Sequence, residues 1–246
     1  MSVNKYLKSL NQKLTAQMSI KKQRSIAAKA SGGISSNAVY VAFENVVQQL
    51  NSKGDVLDFG AGKGNLARRF QTLGHFRSIT AIDFIQKPPV VNSFIRWISQ
   101  DLNYPTELPS QAFDVIVSAE VVEHLENPRA VVREWFRLLR PGGTLVFSTP
   151  NNESWRSLIA LLVMGHFIAF NERNYPAHIT ALLRKDIERI LKETGFSLPK
   201  FIFSNAGSIP KLPKLRWQTI SGGLLKGLRY SDNLLVVTEK TSYSEK

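Results

Sequence analysis

Short apolar runs rich in β-branched and aromatic residues alternate with amphipathic patterns along the middle of the chain. Such runs predict strands, and apolar residues that recur at helical spacing predict helices. Seven strands are predicted, near residues 55–59, 78–84, 94–99, 114–119, 144–148, 200–204 and 234–239. Three helices are predicted at residues 65–73, 129–139 and 184–194, the last two followed by proline or glycine.

This alternation indicates the fold class. Strands that alternate with helices form a mostly parallel sheet covered by helices on both faces. We therefore predict a Rossmann-like, doubly wound α/β fold with a seven-stranded sheet, and 246 residues are enough for one such domain. In folds of this class the ligand lies at the carboxyl ends of the strands.

Three segments depart from the alternation. The first is basic, with seven lysines and arginines before the first acidic residue, Glu44, and with apolar residues at near-helical spacing. The second, SLIALLVMGHFIAF, is apolar but shorter than the roughly 20 residues that span a bilayer. The third is a basic stretch at residues 205–231, which we predict to be an insertion loop. We predict three parts of the chain: a basic amphipathic arm at residues 1–35, a main domain at 36–240 and a tail at 241–246. Within the main domain, the apolar segment at 151–180 is predicted to cover the substrate.

Composition and charge restrict the chemistry and the partners. The chain has no cysteine, which excludes disulfides, thiolate nucleophiles and cysteine-ligated zinc. A formal net charge of +13 favours an anionic partner, which leaves nucleic acid, an anionic membrane surface and a phosphorylated substrate open. The N-terminal segment lacks the apolar core of a secretory signal, so we expect a cytoplasmic protein, with peripheral membrane contact as a further hypothesis.

The stretch VLDFGAGKGNLARRF places Asp58 directly before a glycine-rich turn between a strand and a helix. The amides of such a turn can bind a pyrophosphate, but a carboxylate there favours a ligand with ammonium and sulfonium groups. The next strand ends at Asp83, 23 residues after Gly60, where an acid can accept both hydroxyls of a ribose. Together they predict a nucleoside ligand with a cationic tail; the alternative is a tight turn with two unrelated acids.

Five motifs in order resemble those of the class I S-adenosylmethionine-dependent methyltransferases: LDFGAGKGN, AIDF, SQDLN, FDVIVSAEVVEHLENP and LLRPGGTLVFSTPN. The resemblance covers about residues 36–239 and implies that S-adenosylmethionine is the cofactor. It implies contacts to the methionine portion, the ribose, the adenine and the transferred methyl group from Asp58, Gly60, Ala61, Gly62, Asp83, Phe84, Asp101, Leu102 and Ala119.

Two connections are shorter than this family's pattern. Between the second and third strands lies IQKPPVVNS, with two prolines, and between the third and fourth lies LNYPTELPSQA. Proline removes a backbone donor and ends helices, so we predict that the usual crossover helices are missing or reduced to turns.

The segment EVVEH follows the fourth predicted strand and supplies candidates for acid–base chemistry. If it is helical, Glu120, Glu123 and His124 lie on one face, at i, i+3 and i+4. Methyl transfer to oxygen or nitrogen releases a proton, so we predict His124 as general base, oriented by Glu123 or Glu120. The alternative is that Glu120 caps or pairs locally and that His124 holds a loop.

A second hypothesis for the same residues is a metal site. The segment is similar to the ExxEH motif of ubiquinone-pathway O-methyltransferases and small-RNA terminal 2′-O-methyltransferases, which implies a divalent cation bound by Glu120, Glu123 and His124. His178 follows the fifth strand and is a candidate fourth ligand, although it could also contact substrate or be structural. Two acids and two histidines suit Zn²⁺, Mn²⁺ or Mg²⁺.

Three hypotheses describe the acceptor. The apolar segment favours the hydroxyl of a small or lipid-linked molecule, such as a quinone precursor or a glycan. The basic charge favours RNA 2′-O-methylation, but no RNA-binding module is recognisable. The third hypothesis is a non-catalytic methyltransferase-like binding protein, against which the intact DFGAGKG motif and Asp83 argue.

Overall fold

The computed structural model describes residues 20–241. A first helix, α1, includes residues 20–31, and α2 spans Asn37–Gln49. Residues 20–31 of the predicted basic arm are thus helical. Its first 19 residues, which contain the apolar residues at near-helical spacing, and most of the predicted tail lie outside the described range. Helix α2 begins at the capping side chain of Ser36, which accepts a hydrogen bond from the backbone N–H of Val39.

The described residues form nine strands: β1 (Gly54–Phe59), β2 (Phe76–Asp83), β3 (Ile95–Ser99), β4 (Phe113–Ala119), β5 (Leu139–Pro150), β6 (Lys200–Phe203), β7 (Ser208–Ile209), β8 (Leu212–Arg216) and β9 (Asn233–Glu239). Seven form one sheet in the order β3-β2-β1-β4-β5-β9-β6. Strands β1 to β5 pair in parallel, while β9 runs antiparallel between β5 and β6. The predicted Rossmann-like, mostly parallel sheet is confirmed.

Within residues 20–241 five more α-helices follow: α3 (Asn65–Leu73), α4 (Pro128–Leu138), α5 (Trp155–Met164), α6 (Arg184–Thr194) and α7 (Trp217–Ile220). The three predicted helices match α3, α4 and α6 within one residue at each end. Asn127 caps α4 by accepting from the backbone N–H of Ala130, and Pro128 occupies the first turn, where its missing N–H leaves no donor unpaired.

Alternate residues of the strands pack into two cores, one on each face of the sheet. Val56 of β1 belongs to the core that contains Phe43 of α2 and Phe70 of α3. Its neighbour Leu57 belongs to the other core, around Trp135 of α4. This two-residue alternation covers the sheet on both sides and leaves the carboxyl ends of the strands open for a ligand.

Two connections lack crossover helices, as the prolines predict: residues 84–94 and 100–112 contain turns but no helix. The basic insertion differs from the predicted loop. It forms the β7–β8 hairpin followed by the short helix α7. Every residue of β8 is exposed, so this strand lacks the buried apolar face by which the other strands can be predicted. None of the helices in residues 20–241 combines the length and apolarity needed to cross a membrane.

Candidate active site

A cavity of about 770 Å³ opens where the strand order reverses between β1 and β4. Its walls come from the carboxyl ends of β1 to β4, from residues 23–35 and from residues 175–179. The volume is in the range of cofactor and small-molecule sites. The residues for which the methyltransferase resemblance implies cofactor contacts all line it: Asp58, Gly60, Ala61, Gly62, Asp83, Phe84, Asp101, Leu102 and Ala119.

The glycine turn after β1 is packed on both sides. Gly60 and Gly62 have φ of 80° and 55°. A Cβ on Gly60 would lie 2.3 Å from the side chain of Val121, and one on Gly62 would lie 2.4 Å from the carbonyl oxygen of Gly33. The backbone N–H of Lys63 donates to that same oxygen over 2.9 Å. Glycine is therefore required at both positions by conformation and by close approach.

Asp58 lies buried beneath this turn, with 1% of its surface exposed. Its Oδ2 accepts a hydrogen bond of 3.1 Å from the backbone N–H of Ala67, in the first turn of α3. Burial raises the pKa of Asp58 to about 7, although the bond from Ala67 opposes this shift. A cationic group placed above the turn would compensate the buried carboxylate.

Asp83 joins the end of β2 to the glycine turn. Its Oδ2 accepts from the N–H of Gly62 over 2.7 Å, and its Oδ1 accepts from the N–H of Ile85 over 3.0 Å. Burial raises the pKa of Asp83, and these two backbone donors lower it. Each carboxylate oxygen can accept more than one hydrogen bond, so capacity remains for two ribose hydroxyls.

The wall around Asp101 includes an arginine that sequence reasoning missed. Arg24 of α1 donates from Nη1 to Asp101 over 2.9 Å, and its Nε and Nη2 donate to the two carboxylate oxygens of Glu126 over 2.8 and 2.7 Å. Its guanidinium also lies 4.8 Å from the ring centroid of Tyr104. Arg24 lowers the pKa of Glu126 through this hydrogen bonding.

The segment EVVEH does not form the helix that would place its acids on one face. Only Val122–His124 forms a short 3-10 turn, and Glu120 has a φ of 56°, in the left-handed region. The carboxylate of Glu120 accepts a hydrogen bond from Asn233, and burial raises its pKa to about 7. Glu120 lines the cavity but lies outside the cluster that Glu123 and His124 form.

That cluster consists of Glu123, His124 and His178, with one ligand atom from each within 4.8 Å of the others. The two imidazole rings meet edge to face at 4.7 Å between centroids. Glu123 is fully buried, and among the described residues neither of its oxygens, nor Nδ1 of His178, has a hydrogen-bond partner. Burial and the neighbouring Glu120 raise the pKa of Glu123 well above its ordinary range.

The ring of His124 is oriented by a backbone carbonyl. Its Nδ1 lies 2.8 Å from the carbonyl oxygen of Ala177, which can only accept, so Nδ1 carries the proton. In the neutral ring Nε2 therefore keeps its lone pair. Burial lowers the pKa of His124, and burial together with the charge of His124 lowers that of His178 to about 4. The orienting partner at Nδ1 is thus Ala177, and not Glu123 or Glu120 as the sequence indicated.

The apolar segment forms α5, which begins beside the carboxyl end of β5 and ends at Gly165. Its outer face is exposed and unpaired within the described residues: Leu162 has 85% of its surface exposed and Val163 has 73%. Beyond the helix, the ring of Phe170 packs 5.6 Å from that of His178. The segment therefore runs from an apolar surface to the histidine pair.

A family model described as a methyltransferase domain matches residues 36–199. The chain belongs to this methyltransferase family. A ubiquinone biosynthesis O-methyltransferase of Rickettsia canadensis is 25% identical over 173 residues, which are 68% of this chain and 71% of that protein. A protein of the same name from Pseudomonas entomophila is 33% identical over 116 residues, 44% of this chain, and the match spans about half of that relative, 49%.

Solved methyltransferases share the fold. A SAM dependent methyltransferase from Archaeoglobus fulgidus matches with a TM-score of 0.58 and 18% identity, over 82% of this chain and 93% of that one. The 1,6-didemethyltoxoflavin-N1-methyltransferase of Burkholderia thailandensis, solved with S-adenosylhomocysteine, gives a TM-score of 0.56 and 16% identity over 98% and 92%. The predicted S-adenosylmethionine-dependent methyltransferase and its class I fold are confirmed.

Proposed function

We propose that this methyltransferase transfers a methyl group from S-adenosylmethionine to a hydroxyl of a small or lipid-linked acceptor, with residues 36–240 as the catalytic domain. The observation that carries the proposal is the position of His124. It lines the same cavity as Asp58, Asp83 and Ala119, and with Nδ1 bonded to Ala177 its Nε2 keeps the lone pair in the neutral tautomer. A base beside the methyl donor suits an acceptor that loses a proton.

The cofactor is proposed to lie along the carboxyl ends of β1 to β4. Asp58 compensates the positive charge of the methionine portion, Asp83 accepts the ribose hydroxyls, and the adenine lies between Phe84 and Leu102 with Asp101 at its edge. The methyl group then points toward Ala119 and the segment EVVEH. Methyl transfer to an activated sulfonium needs mainly alignment and exclusion of water, which a cavity walled by α1 supports.

The residues present fit a divalent cation at Glu123, His124 and His178. A buried carboxylate without hydrogen-bond partners among the described residues, beside two neutral imidazoles, is a donor set that a cation would satisfy. Such an ion would lower the pKa of an acceptor hydroxyl. Glu120, the fourth residue that the sequence nominated, bonds to Asn233 and is not needed in this set.

An oxygen acceptor with an apolar body is supported by two observations. The names of the relatives from Rickettsia and Pseudomonas place them in ubiquinone biosynthesis as O-methyltransferases. In this chain α5 carries an exposed apolar face, and Phe170, six residues after the helix, packs its ring against that of His178. A lipid-linked acceptor could therefore be delivered from an apolar surface.

Labelled S-adenosylmethionine tests the proposal directly. The protein is incubated with a cell extract, and the extract is separated into lipid, water-soluble small-molecule and RNA fractions. Label in the lipid or small-molecule fraction, stable to mild base as an ether is, supports an O-methylated acceptor. Label in the RNA fraction supports the alternative of RNA 2′-O-methylation, which the net charge of +13 favours.

Asp83→Ala should weaken S-adenosylhomocysteine binding by about 1 to 3 kcal/mol, because a buried acceptor of ribose hydrogen bonds is lost. Isothermal titration calorimetry measures the change. Asp114→Ala is a matched control, since Asp114 also accepts from a backbone N–H, that of Asp55, but does not line the cavity. Equal affinity in the Asp83 variant and the wild type would contradict the ribose assignment.

Peripheral membrane contact is proposed for the exposed face of α5. Replacing Leu162 and Val163 by serine should reduce binding to phosphatidylglycerol-containing vesicles by roughly tenfold or more, because two apolar side chains lose their burial. Leu198→Ser is the control, since Leu198 is exposed to a similar extent, 84%, in a different part of the fold. Co-sedimentation measures binding, and an equal loss in the control, or no binding by the wild type, would rule out this surface.

A further inference from the structure

Helix α1 lies outside the matched methyltransferase domain, yet it builds part of the site. The family match begins at residue 36, whereas residues 23–35 supply eleven of the 34 residues that line the cavity. The cavity is therefore incomplete without a segment that the family pattern does not describe. The contacts that attach this segment to the rest of the cavity wall therefore control entry and exit of the cofactor.

A single arginine attaches α1 to the opposite wall of the cavity through several hydrogen bonds. Arg24 uses three donor atoms to bridge Asp101, which follows β3, and Glu126, which lies beyond EVVEH. Its side chain is only 13% exposed, and the Asp101 side chain 18%, so water screens this pair less than a surface ion pair. The ring of Tyr104 adds a cation–π contact from the same wall.

Arg24 also fixes a residue of the proposed cofactor site. Asn103 donates to Oδ1 of Asp101 through its backbone and side-chain N–H groups, each over 3.0 Å, and Arg24 donates to Oδ2. With donors at both oxygens, the carboxylate is held in one orientation. The guanidinium thus links the cover of the cavity to the position of an acid at the adenine edge.

The connection behind α1 has the form of a hinge. Gly32 and Gly33 have φ of 70° and 62° and separate α1 from α2. Gly33 is packed on the glycine turn, whereas a Cβ on Gly32 would meet nothing within 4 Å. The chain is therefore fixed at Gly33, and α1 can rotate about Gly32 once its far attachment is released.

We propose that Arg24 is a positioning residue that latches α1 over bound S-adenosylmethionine and holds Asp101 at the adenine edge. Release of the demethylated cofactor then requires the ion pairs of Arg24 with Asp101 and Glu126 to break. This inference rests on the proposed placement of the cofactor in the cavity. It assigns to α1 a role in cofactor exchange.

The dissociation rate of S-adenosylhomocysteine tests the latch. Tritiated S-adenosylhomocysteine is bound to the full-length protein and chased with excess unlabelled compound. Arg24→Ala should accelerate dissociation by roughly tenfold or more, since several charge-assisted hydrogen bonds are lost. Arg24→Lys should restore part of the retention, and Glu126→Gln should give an intermediate rate. Added KCl should speed dissociation from the wild type more than from Arg24→Ala.

Arg77→Ala is the matched control, because Arg77 also forms a bidentate ion pair, with Asp55, but does not line the cavity. It should leave the dissociation rate unchanged. If the wild type retains S-adenosylhomocysteine and the Arg24 and Glu126 variants release it at the wild-type rate with the same KCl dependence, the latch is refuted while the cofactor site stands. If the wild type does not bind S-adenosylhomocysteine, the placement of the cofactor itself is refuted.

Discussion

His124→Ala is expected to lower turnover on an identified acceptor by about 100-fold or more while cofactor affinity stays within a few-fold. The base acts on the acceptor proton and not on the methyl donor, so the loss should fall on the chemical step. The carbonyl oxygen of Ala177 orients the ring, and burial lowers the pKa of His124, which favours the neutral ring that a base requires. Steady-state kinetics and calorimetry with S-adenosylhomocysteine separate the two effects.

His75→Ala is the control for this substitution, because His75 is exposed and does not line the cavity. It should retain wild-type turnover and affinity. Near-full turnover by His124→Ala would exclude both a base and a metal-ligand role, and His124 would then be structural. A large loss of cofactor affinity instead would mean that the ring supports the donor site.

A metal role and a direct base role predict different responses to chelation. If Glu123, His124 and His178 hold a cation, calorimetry should detect Zn²⁺, Mn²⁺ or Mg²⁺ binding that Glu123→Gln abolishes, and EDTA should remove activity. If His124 acts alone, EDTA should have no effect and metal titration should give no saturable heat. The binding measurement decides the question even before an acceptor is known.

The seven strands of the main sheet could be predicted because each is an apolar run with glycine, proline or polar residues at its ends. Central strands of a parallel sheet are buried on both faces, so their sequences are nearly continuous in apolar residues. Helix α2 was not predicted, since its valines favour strands by propensity. Packing of its buried face, which includes Phe43, against the sheet overrides that preference. The hairpin β7–β8 is exposed and carries no such signal.

The acids of the site were predictable for a related reason. Asp58, Asp83 and Asp101 each stand at or just after the end of a strand, and parallel strands bring those ends together. Arg24 was not predictable, because its partners lie 77 and 102 residues further along the chain, and nothing in a basic segment distinguishes it from its neighbours. The prediction that Glu120 shares a helical face with Glu123 and His124 was wrong, because the left-handed backbone conformation of Glu120 breaks the helical spacing.

Asp58→Asn is expected to stabilise the protein without cofactor at pH 8 while weakening cofactor binding. The folded-state pKa of Asp58 is about 7, whereas an unfolded aspartate titrates near pH 4. A raised folded pKa means that the unfolded state loses its proton first. The contribution of Asp58 to stability is therefore fully present below about pH 4 and is lost as pH rises through about 7.

This difference of about three between the folded-state and unfolded-state pKa values corresponds to about 4 kcal/mol of unfolding free energy. Wild-type stability should therefore fall by up to this amount between about pH 4 and pH 8 because of Asp58. Asparagine carries no charge, and its oxygen can still accept from the N–H of Ala67. The unsatisfied amide hydrogens of the buried asparagine should cost roughly 1 to 3 kcal/mol of the unfolding free energy that the variant recovers. A net increase of about 1 to 3 kcal/mol in the unfolding free energy should therefore remain at pH 8.

Urea denaturation at pH 5 and pH 8 measures the stability change, and calorimetry at pH 8 measures the affinity for S-adenosylmethionine. The variant should lose the counter-charge of the cationic methionine portion and bind the cofactor at least about tenfold more weakly. Between pH 5 and 7, binding to the wild type should release a proton from Asp58, so the observed binding enthalpy should depend on the ionisation enthalpy of the buffer. The contribution of Asp58 to this buffer dependence of the binding enthalpy should be absent in Asp58→Asn. Unchanged affinity together with lower stability at pH 8 would show that Asp58 supports the fold and not the cofactor.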